Sequence, residues 1–240
     1  MNPAILVVAK APVPGQAKTR LTPPATPHQA AAIAAASLHD TLSAARATPG
    51  TRLVVALTGD LSQSADTVRL RRALYGCTVI SQRGNGFAQR LANAHADVGG
   101  PRLQLGMDTP QVTPALLADC LRLLAQRNTD AVLGPAADGG WWALGLCKPE
   151  YAAALATVPM SQTDTGERTL SALRDKGLVV RIAPELSDVD TMADAVAVAR
   201  GLPGSYFAHA VTAVLPCLAP AATPANAAAH LPAPTVEVAR

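Results

Sequence analysis

The chain has 240 residues, 49% of them hydrophobic but only 3% aromatic, and a formal net charge of +3. That length suits one domain with a sizeable core of Ala, Val and Leu. The weak positive balance argues against a nucleic-acid partner, which calls for a dense basic face. No apolar run approaches the ~20 residues needed to span a membrane. The run at 5–9 is too short for a secretion signal and has no basic residue ahead of it, so a soluble, cytoplasmic protein is expected. Cys77, Cys120, Cys147 and Cys217 are too scattered to form a zinc motif and are expected to be reduced thiols.

In chain order, strand and helix signals alternate. "AILVVA" (4–9) is continuously apolar, as in a strand covered on both faces. The segment 26–47 opens with Thr26 as an N-cap, Pro27 in the first helical position and Gln29 placed to complete a capping box. Strand "RLVVAL" (52–57), a helix over 64–74, strand "CTVISQ" (77–82) and a helix over 86–98 follow. Then come strand "RLQLG" (102–106), a helix over 113–127 capped by Thr113, and strands "DAVLG" (130–134) and "WWALGL" (141–146). Helical stretches near 150–157 and 164–176, a strand within 177–183 and a helix near 191–200 complete the series. The alternation predicts an α/β fold: a three-layer, Rossmann-like, mostly parallel sheet with helices on both faces. Residues 1–218 are expected to form this single domain, and the Ala/Pro-rich residues 219–240 a flexible tail.

In such sheets ligands gather beyond the carboxyl ends of the strands, so the residues there carry the functional signal. After the first strand, "KAPVPGQAKTRL" places Lys10, Pro12, Gly15, Lys18 and Arg20 in one loop. Gly15 permits a tight turn, and the cations suit phosphate oxygens, although the loop lacks the GxxxxGK[ST] of a Walker motif. After the third strand come Gln82, Gly84 and Gly86, with Arg90 one helical turn further on. Gln82 could meet a base edge, and Arg90 would point back to the same mouth; an ordinary glycine-rich turn would look the same. Asp108 follows the fourth strand, where a carboxylate can hold Mg²⁺ (or Mn²⁺) together with substrate phosphates. Asp138, Gly139 and Gly140 lead into Trp141 and Trp142, whose alternation sends at most one to a cleft and the other to the core. Asp188 and Asp190 flank Val189; one could complete the metal site, with Asp190 the choice, while one is expected to cap the helix beginning near Thr191. Ser161, Thr163 and Thr165 could serve either function or capping. No histidine has a partner at metal or triad spacing, and no GxSxG elbow is present.

Taken together, "KAPVPGQAKTRL", "QRGNGFAQR", "GMDTPQVTP", "GPAADGGWWALGL" and "DVDTMADA" resemble, in order and spacing over residues 4–200, the nucleotide-diphospho-sugar transferase superfamily of GT-A fold. The nearest likeness is to its bacterial radical-SAM- and selenodomain-associated branch, labelled as glycosyltransferases. The "AKTRL" element is also similar to phospholactate guanylyltransferases. Departures from the branch pattern are Met107 and Thr109 in place of Ser and Cys, Trp141-Trp142 in place of Tyr-Tyr, Phe87-Ala88 in place of Leu-Gly, and Met160-Ser161-Gln162 in place of Trp-Ser-Thr.

The resemblance implies a metal-dependent transferase that takes a nucleotide (an NTP or an NDP-sugar) and a small-molecule acceptor. Lys18, Arg20 and Asp108 would be catalytic, and Lys10, Pro12, Gly15, Lys18, Arg20, Gln82, Gly84 and Arg90 would bind nucleotide. Asp138, Gly139, Gly140 and Trp141 would hold the acceptor or sugar, and Asp108 with Asp190 the metal. Two reactions are expected of such a site. One is nucleotidyl transfer from an NTP to a phosphorylated or phosphonate acceptor, releasing pyrophosphate; the other is glycosyl transfer from an NDP-sugar.

Overall fold

The computed structural model describes residues 2–215, so the expected tail at 219–240, with Cys217, lies outside the described residues. Seven strands form one sheet: β1 (Ala4–Lys10), β2 (Arg52–Thr58), β3 (Thr78–Ser81), β4 (Arg102–Leu105), β5 (Ala131–Pro135), β6 (Trp141–Leu146) and β7 (Val180–Ile182). Their spatial order is β3-β2-β1-β4-β6-β5-β7. Every neighbouring pair is parallel except the two made by β6, which runs antiparallel between β4 and β5. The helices are α1 (Pro27–Ala47), α2 (Thr67–Leu74), α3 (Phe87–Val98), α4 (Pro114–Leu124), α5 (Thr165–Asp175), α6 (Met192–Arg200) and α7 (Tyr206–Thr212), with a 3-10 segment at Pro149–Thr157. None of the described helices is long and apolar enough to cross a membrane.

The chain's alternation of side chains sorts the core. From β1, β2 and β4, Ile5, Val7, Val55, Leu103 and Leu105 face a layer with Leu38 and Leu42 of α1, Leu70 of α2 and Leu117 of α4. Their neighbours Leu6, Val8, Val54 and Ala56 face the other way, onto Leu91 and Ala94 of α3 and Leu173 of α5. A third cluster joins Leu21 and Ile33 to Met192 and Ala195 of α6 and to Phe207 and Val211 of α7. Burying each Leu, Ile or Val this way contributes roughly 1.5–3 kcal/mol.

α1 begins as its sequence dictates. Thr26 Oγ1 accepts from the Gln29 backbone N–H, and Gln29 Oε1 accepts from the Thr26 backbone N–H at 2.9 Å. α7 was not expected, because "YFAHAVT" is too short to show a period; it forms because Phe207 and Val211 are fully buried against α1 and α6.

Two features place the site. First, β1 lies between β2 and β4, so the loops leaving β1 and β4 diverge and open a crevice at the sheet's mouth. Second, because β6 is antiparallel, the residues before it, 138–140, arrive at the same mouth as those after β4. The tryptophans divide as alternation requires. Trp142 is 1% exposed in the first core layer, its Nε1 donating to the Pro184 carbonyl at 2.9 Å, while Trp141 turns to the other face.

Gly134 on β5 leaves room for the Trp142 ring: a Cβ there would stand 2.6 Å from Trp142 Nε1. Gly134→Ala is therefore expected to cost about 1–3 kcal/mol through overpacking. In a thermal melt the midpoint should fall by several degrees; an unchanged midpoint would mean the indole does not hold that position.

Candidate active site

Lys18 is the centre of the mouth. It adopts a left-handed backbone conformation (φ 48°, ψ 43°), uncommon for a non-glycine residue and typical of positions held for a purpose. Its Nζ lies 3.0 Å from Asp108 Oδ2 and 3.0 Å from Asp190 Oδ1, with the side chain 11% exposed. Arg20 Nη1 reaches the other oxygen of Asp190 at 3.1 Å. Burial pulls the Lys18 ammonium down, but the two carboxylates outweigh it and hold its pKa above the usual lysine value. The loop after β1 is thus fastened across the crevice to the loops after β4 and β7.

The 187–190 segment is carried there by its own ties. Leu186 bridges Ala136, Ser187 accepts from the Gln111 side chain, and Val189, 1% exposed, donates its N–H to the Asp108 carbonyl at 3.3 Å. The two aspartates beside Val189 divide the work. Asp190 takes both cations, and Asp188 forms none of the ion pairs among the described residues. The Asp188 carboxyl is pushed up to about 7, by burial first and then by the charges of Asp138 and Asp108. Neither aspartate caps α6, contrary to expectation. Thr191 Oγ1 accepts from the Asp194 N–H, and Asp194 accepts from the Thr191 N–H at 2.7 Å, so the helix needs no help from upstream.

Two adjoining hollows share Lys10, Arg20, Met107, Asp108 and Asp190. One is a basin of about 270 Å³ reached by Lys18 and Gln16, the other a cleft of about 650 Å³ extending past Gln82, Arg90, Gln104, Asp138, Trp141 and Asp188. The larger falls in the range of small-molecule sites. Met107, where the pattern has serine, is built into the mouth: its Sδ accepts from the Lys10 N–H at 3.2 Å and its carbonyl from Ser37 at 2.7 Å.

Of the residues singled out in the sequence, Lys10, Lys18, Arg20, Gln82, Arg90, Asp108, Asp138, Gly140, Trp141 and Asp190 line these hollows; Pro12, Gly15, Gly84 and Gly139 do not. Gly15 and Gly84 have positive φ and shape their turns. Gly139 serves a close backbone approach within the protein: a Cβ would sit 1.7 Å from the Thr163 carbonyl oxygen. Its own carbonyl accepts from the Gly166 N–H at 2.8 Å, which binds the 161–166 segment to the turn before β6. Gln82 spends its amide nitrogen on the Ala9 and Ala56 carbonyls, at 2.8 and 2.9 Å, leaving only its oxygen for a ligand. Thr165 Oγ1 accepts from the Gln162 N–H and donates to the Pro159 carbonyl, each at 3.0 Å, and so orders the wall formed by 160–163.

Gln104 belongs to none of the sequence motifs, and Thr109 stands out in the sequence only as a departure from the branch pattern. Both are almost fully buried, and both carry a side-chain oxygen with no partner. A glutamine between the two leucines of β4 was the available signal for Gln104.

The donors here fit a hard divalent cation of limited protein ligation. Among the described residues no group of three or more His, Cys, Asp or Glu could hold a metal ion alone. Mg²⁺ and similar ions are commonly held by one or two carboxylates plus phosphates and water. Asp108 has one oxygen outside its Lys18 contact, and Asp188 is crowded by like charge, whereas both oxygens of Asp190 are taken by Lys18 and Arg20.

A family model described as "Uncharacterized protein conserved in bacteria (DUF2064)" matches residues 41–162. The chain belongs to that family. No curated protein matches this DUF2064 member. Among solved structures, a candidate nucleotide-diphospho-sugar transferase from Desulfovibrio desulfuricans G20 is 26% identical, with a TM-score of 0.74 over 90% of this chain and 94% of that one. A cytidylyltransferase from Leptospira borgpetersenii has a TM-score of 0.55 at 14% identity over 93% of this chain and 98% of that one. Rv0371c from Mycobacterium tuberculosis H37Rv, in a complex with manganese, has a TM-score of 0.51 at 24% identity over 82% of this chain and 97% of that one. The DUF2064 chain therefore has the α/β fold shared by nucleotide-diphospho-sugar transferases and cytidylyltransferases.

The raised Asp188 pKa has a measurable consequence. Between pH 3.8 and about 7 the native carboxyl binds a proton that the unfolded chain releases, so stability falls as pH rises through that window and levels off above it. Discounted for partial exposure, the effect amounts to about 1–3 kcal/mol. Asp188→Asn removes it: in urea melts with chelator present, the variant should match wild type near pH 4 and exceed it at pH 8. Parallel profiles would contradict the crowding of Asp188.

Proposed function

We propose that this protein is a nucleotide-dependent transferase that moves a nucleotidyl group from an NTP to a small phosphorylated or phosphonate acceptor and releases pyrophosphate. The observation that carries this reading is the Lys18 and Arg20 pair set against Asp108 and Asp190 at the point where the β1 and β4 loops diverge. A basin with Lys10, Lys18 and Arg20 on its wall suits a triphosphate chain, whose charge needs more compensation than that of a sugar diphosphate. The adjoining cleft has room for the nucleoside and the acceptor.

In this reading an oxygen of the acceptor attacks the α-phosphorus. A new P–O bond forms as the bond from the α-phosphorus to the bridging oxygen breaks, and that oxygen leaves with the pyrophosphate. Lys18 and Arg20 stabilise the charge growing on the leaving group, the kind of preorganised contact that contributes most to such reactions. For Lys18 to meet phosphate it exchanges a carboxylate oxygen for a phosphoryl oxygen, a like-for-like swap of anionic partners. A divalent cation held by Asp108 with Asp188, or with Asp190 once Lys18 has turned away, would supply further charge neutralisation at the phosphates.

A second reading, glycosyl transfer from an NDP-sugar, is favoured by the description of the Desulfovibrio desulfuricans protein as a candidate nucleotide-diphospho-sugar transferase.

Thermal-shift screening with NTPs and NDP-sugars, with and without Mg²⁺ or Mn²⁺, separates the two. An NTP plus metal at about 100 times its dissociation constant should add roughly 2.7 kcal/mol. That corresponds to a midpoint shift of about 5–10 °C for a chain of this size. Lys18→Met should reduce pyrophosphate release by about 10²–10³-fold while the apo melt shows a folded protein. Stabilisation by NDP-sugars alone, with nucleoside diphosphate as the product, would overturn the nucleotidyl reading in favour of the glycosyl one.

A further inference from the structure

The cleft holds a second polar cluster on the α3 side that the cations of the β1 loop do not serve. Arg90, in the first turn of α3, lines the cleft with its Nε buried and without a hydrogen-bond partner. Its guanidinium joins none of the ion pairs among the described residues. Phe87 lies beneath it, the ring centroid 5.8 Å from the guanidinium carbon. Gln104, on β4, is 2% exposed and lines the same cleft, yet its carbonyl oxygen has no full hydrogen bond. A half-buried guanidinium with no ion pair and no partner for its Nε carries a cost that a bound anion lowers.

The burial of the Gln104 carbonyl oxygen sets which end of the amide the cleft receives. Arg102 Nε donates to His95 Nδ1 at 3.0 Å, so the neutral His95 ring carries its proton on Nε2. Burial and the adjacent Arg102 charge keep His95 neutral, its pKa lowered to about 3, with Gln104 beside it pulling weakly the other way. Gln104 therefore has its amide nitrogen left for the cleft. Arg90 and Gln104 then both present donors, and a pair of donors with one positive charge selects an oxyanion.

We infer that Arg90 and Gln104 form an oxyanion subsite that holds the acceptor's phosphate, phosphonate or carboxylate group, separate from the nucleotide phosphates at Lys18 and Arg20. This rests on the transferase reading only for what the anion belongs to. The subsite itself makes Arg90 an acceptor residue rather than the nucleotide residue that the sequence pattern suggests.

The test uses the full chain, whose tryptophans are only Trp141 and Trp142. Trp141 lines the cleft, so its fluorescence reports occupancy, with Trp141→Phe as the signal control. Inorganic phosphate, methylphosphonate and acetate are titrated separately, which tells the tetrahedral anions from the carboxylate. Saturable binding of at least one is expected. Arg90→Met should weaken it by about 10–100-fold, the scale of one charge-assisted hydrogen bond. Gln104→Glu, which puts a negative charge on the floor, should abolish it, and Gln104→Met should weaken it less. Lys18→Met should leave the probe affinity unchanged while weakening NTP binding, and Arg90→Met should do the reverse. Melting curves confirm that each variant is folded, and Arg90→Lys, if the glutamine variants do not fold, should recover part of the affinity. No saturable binding by wild type, equal affinity in Arg90→Met, or loss of NTP binding in Arg90→Met with the probe retained would each overturn the subsite. Absence of NTP binding with the probe site intact would instead count against the transferase reading alone.

Discussion

One ammonium group holds the mouth of this protein together. Lys18 Nζ, 11% exposed and 3.0 Å from carboxylates of two different loops, fastens the segment after β1 to those after β4 and β7. Such a charge, mostly out of water, is tolerable only with close opposite charge. The aspartates in turn have few other ways to satisfy their crowding. The left-handed backbone at Lys18 and the N–H of the buried Val189 on the Asp108 carbonyl accompany the approach of those three charges.

The charges at the mouth are unevenly compensated. Lys18, Arg20 and Asp190 compensate one another, while Asp188 shares its surroundings with Asp138 and Asp108 and keeps its proton more tightly than an ordinary carboxylate. In the proposed transfer the first arrangement exchanges a carboxylate for a phosphate. The second has excess negative charge that an arriving cation would relieve. On the face covered by α3, Arg102 is bonded to His95, and Gln104 and Arg90 line the cleft apart from the cations of the β1 loop.

Much of the fold was legible because its strands are short apolar runs and its helices carry their own caps. Thr26 with Gln29, and Thr113 with Pro114, start α1 and α4 where the sequence says. α7 was not legible, since seven residues show no period and its burial depends on α1 and α6. The antiparallel placement of β6 is also tertiary, and it alone explains why residues before a strand, Asp138 to Gly140, reach the same mouth as residues after one. In the site, the cations and aspartates were visible as motifs, but their pairing was not. A sequence places Asp188 and Asp190 on equal terms; only the fold gives Lys18 to one and like charges to the other. The glycines before β6 suggest room for a ligand, yet Gly139 is required by the Thr163 backbone.

The account turns on Lys18 being a cation shared between the protein's carboxylates and a nucleotide's phosphates. The most direct measurement is a crystal structure of the chain with a non-hydrolysable NTP and Mn²⁺. Lys18 Nζ is expected within hydrogen-bond distance of a phosphoryl oxygen, with Arg20 beside it and anomalous density for manganese at Asp108. Phosphates bound elsewhere, with Lys18 still spanning Asp108 and Asp190, would contradict it.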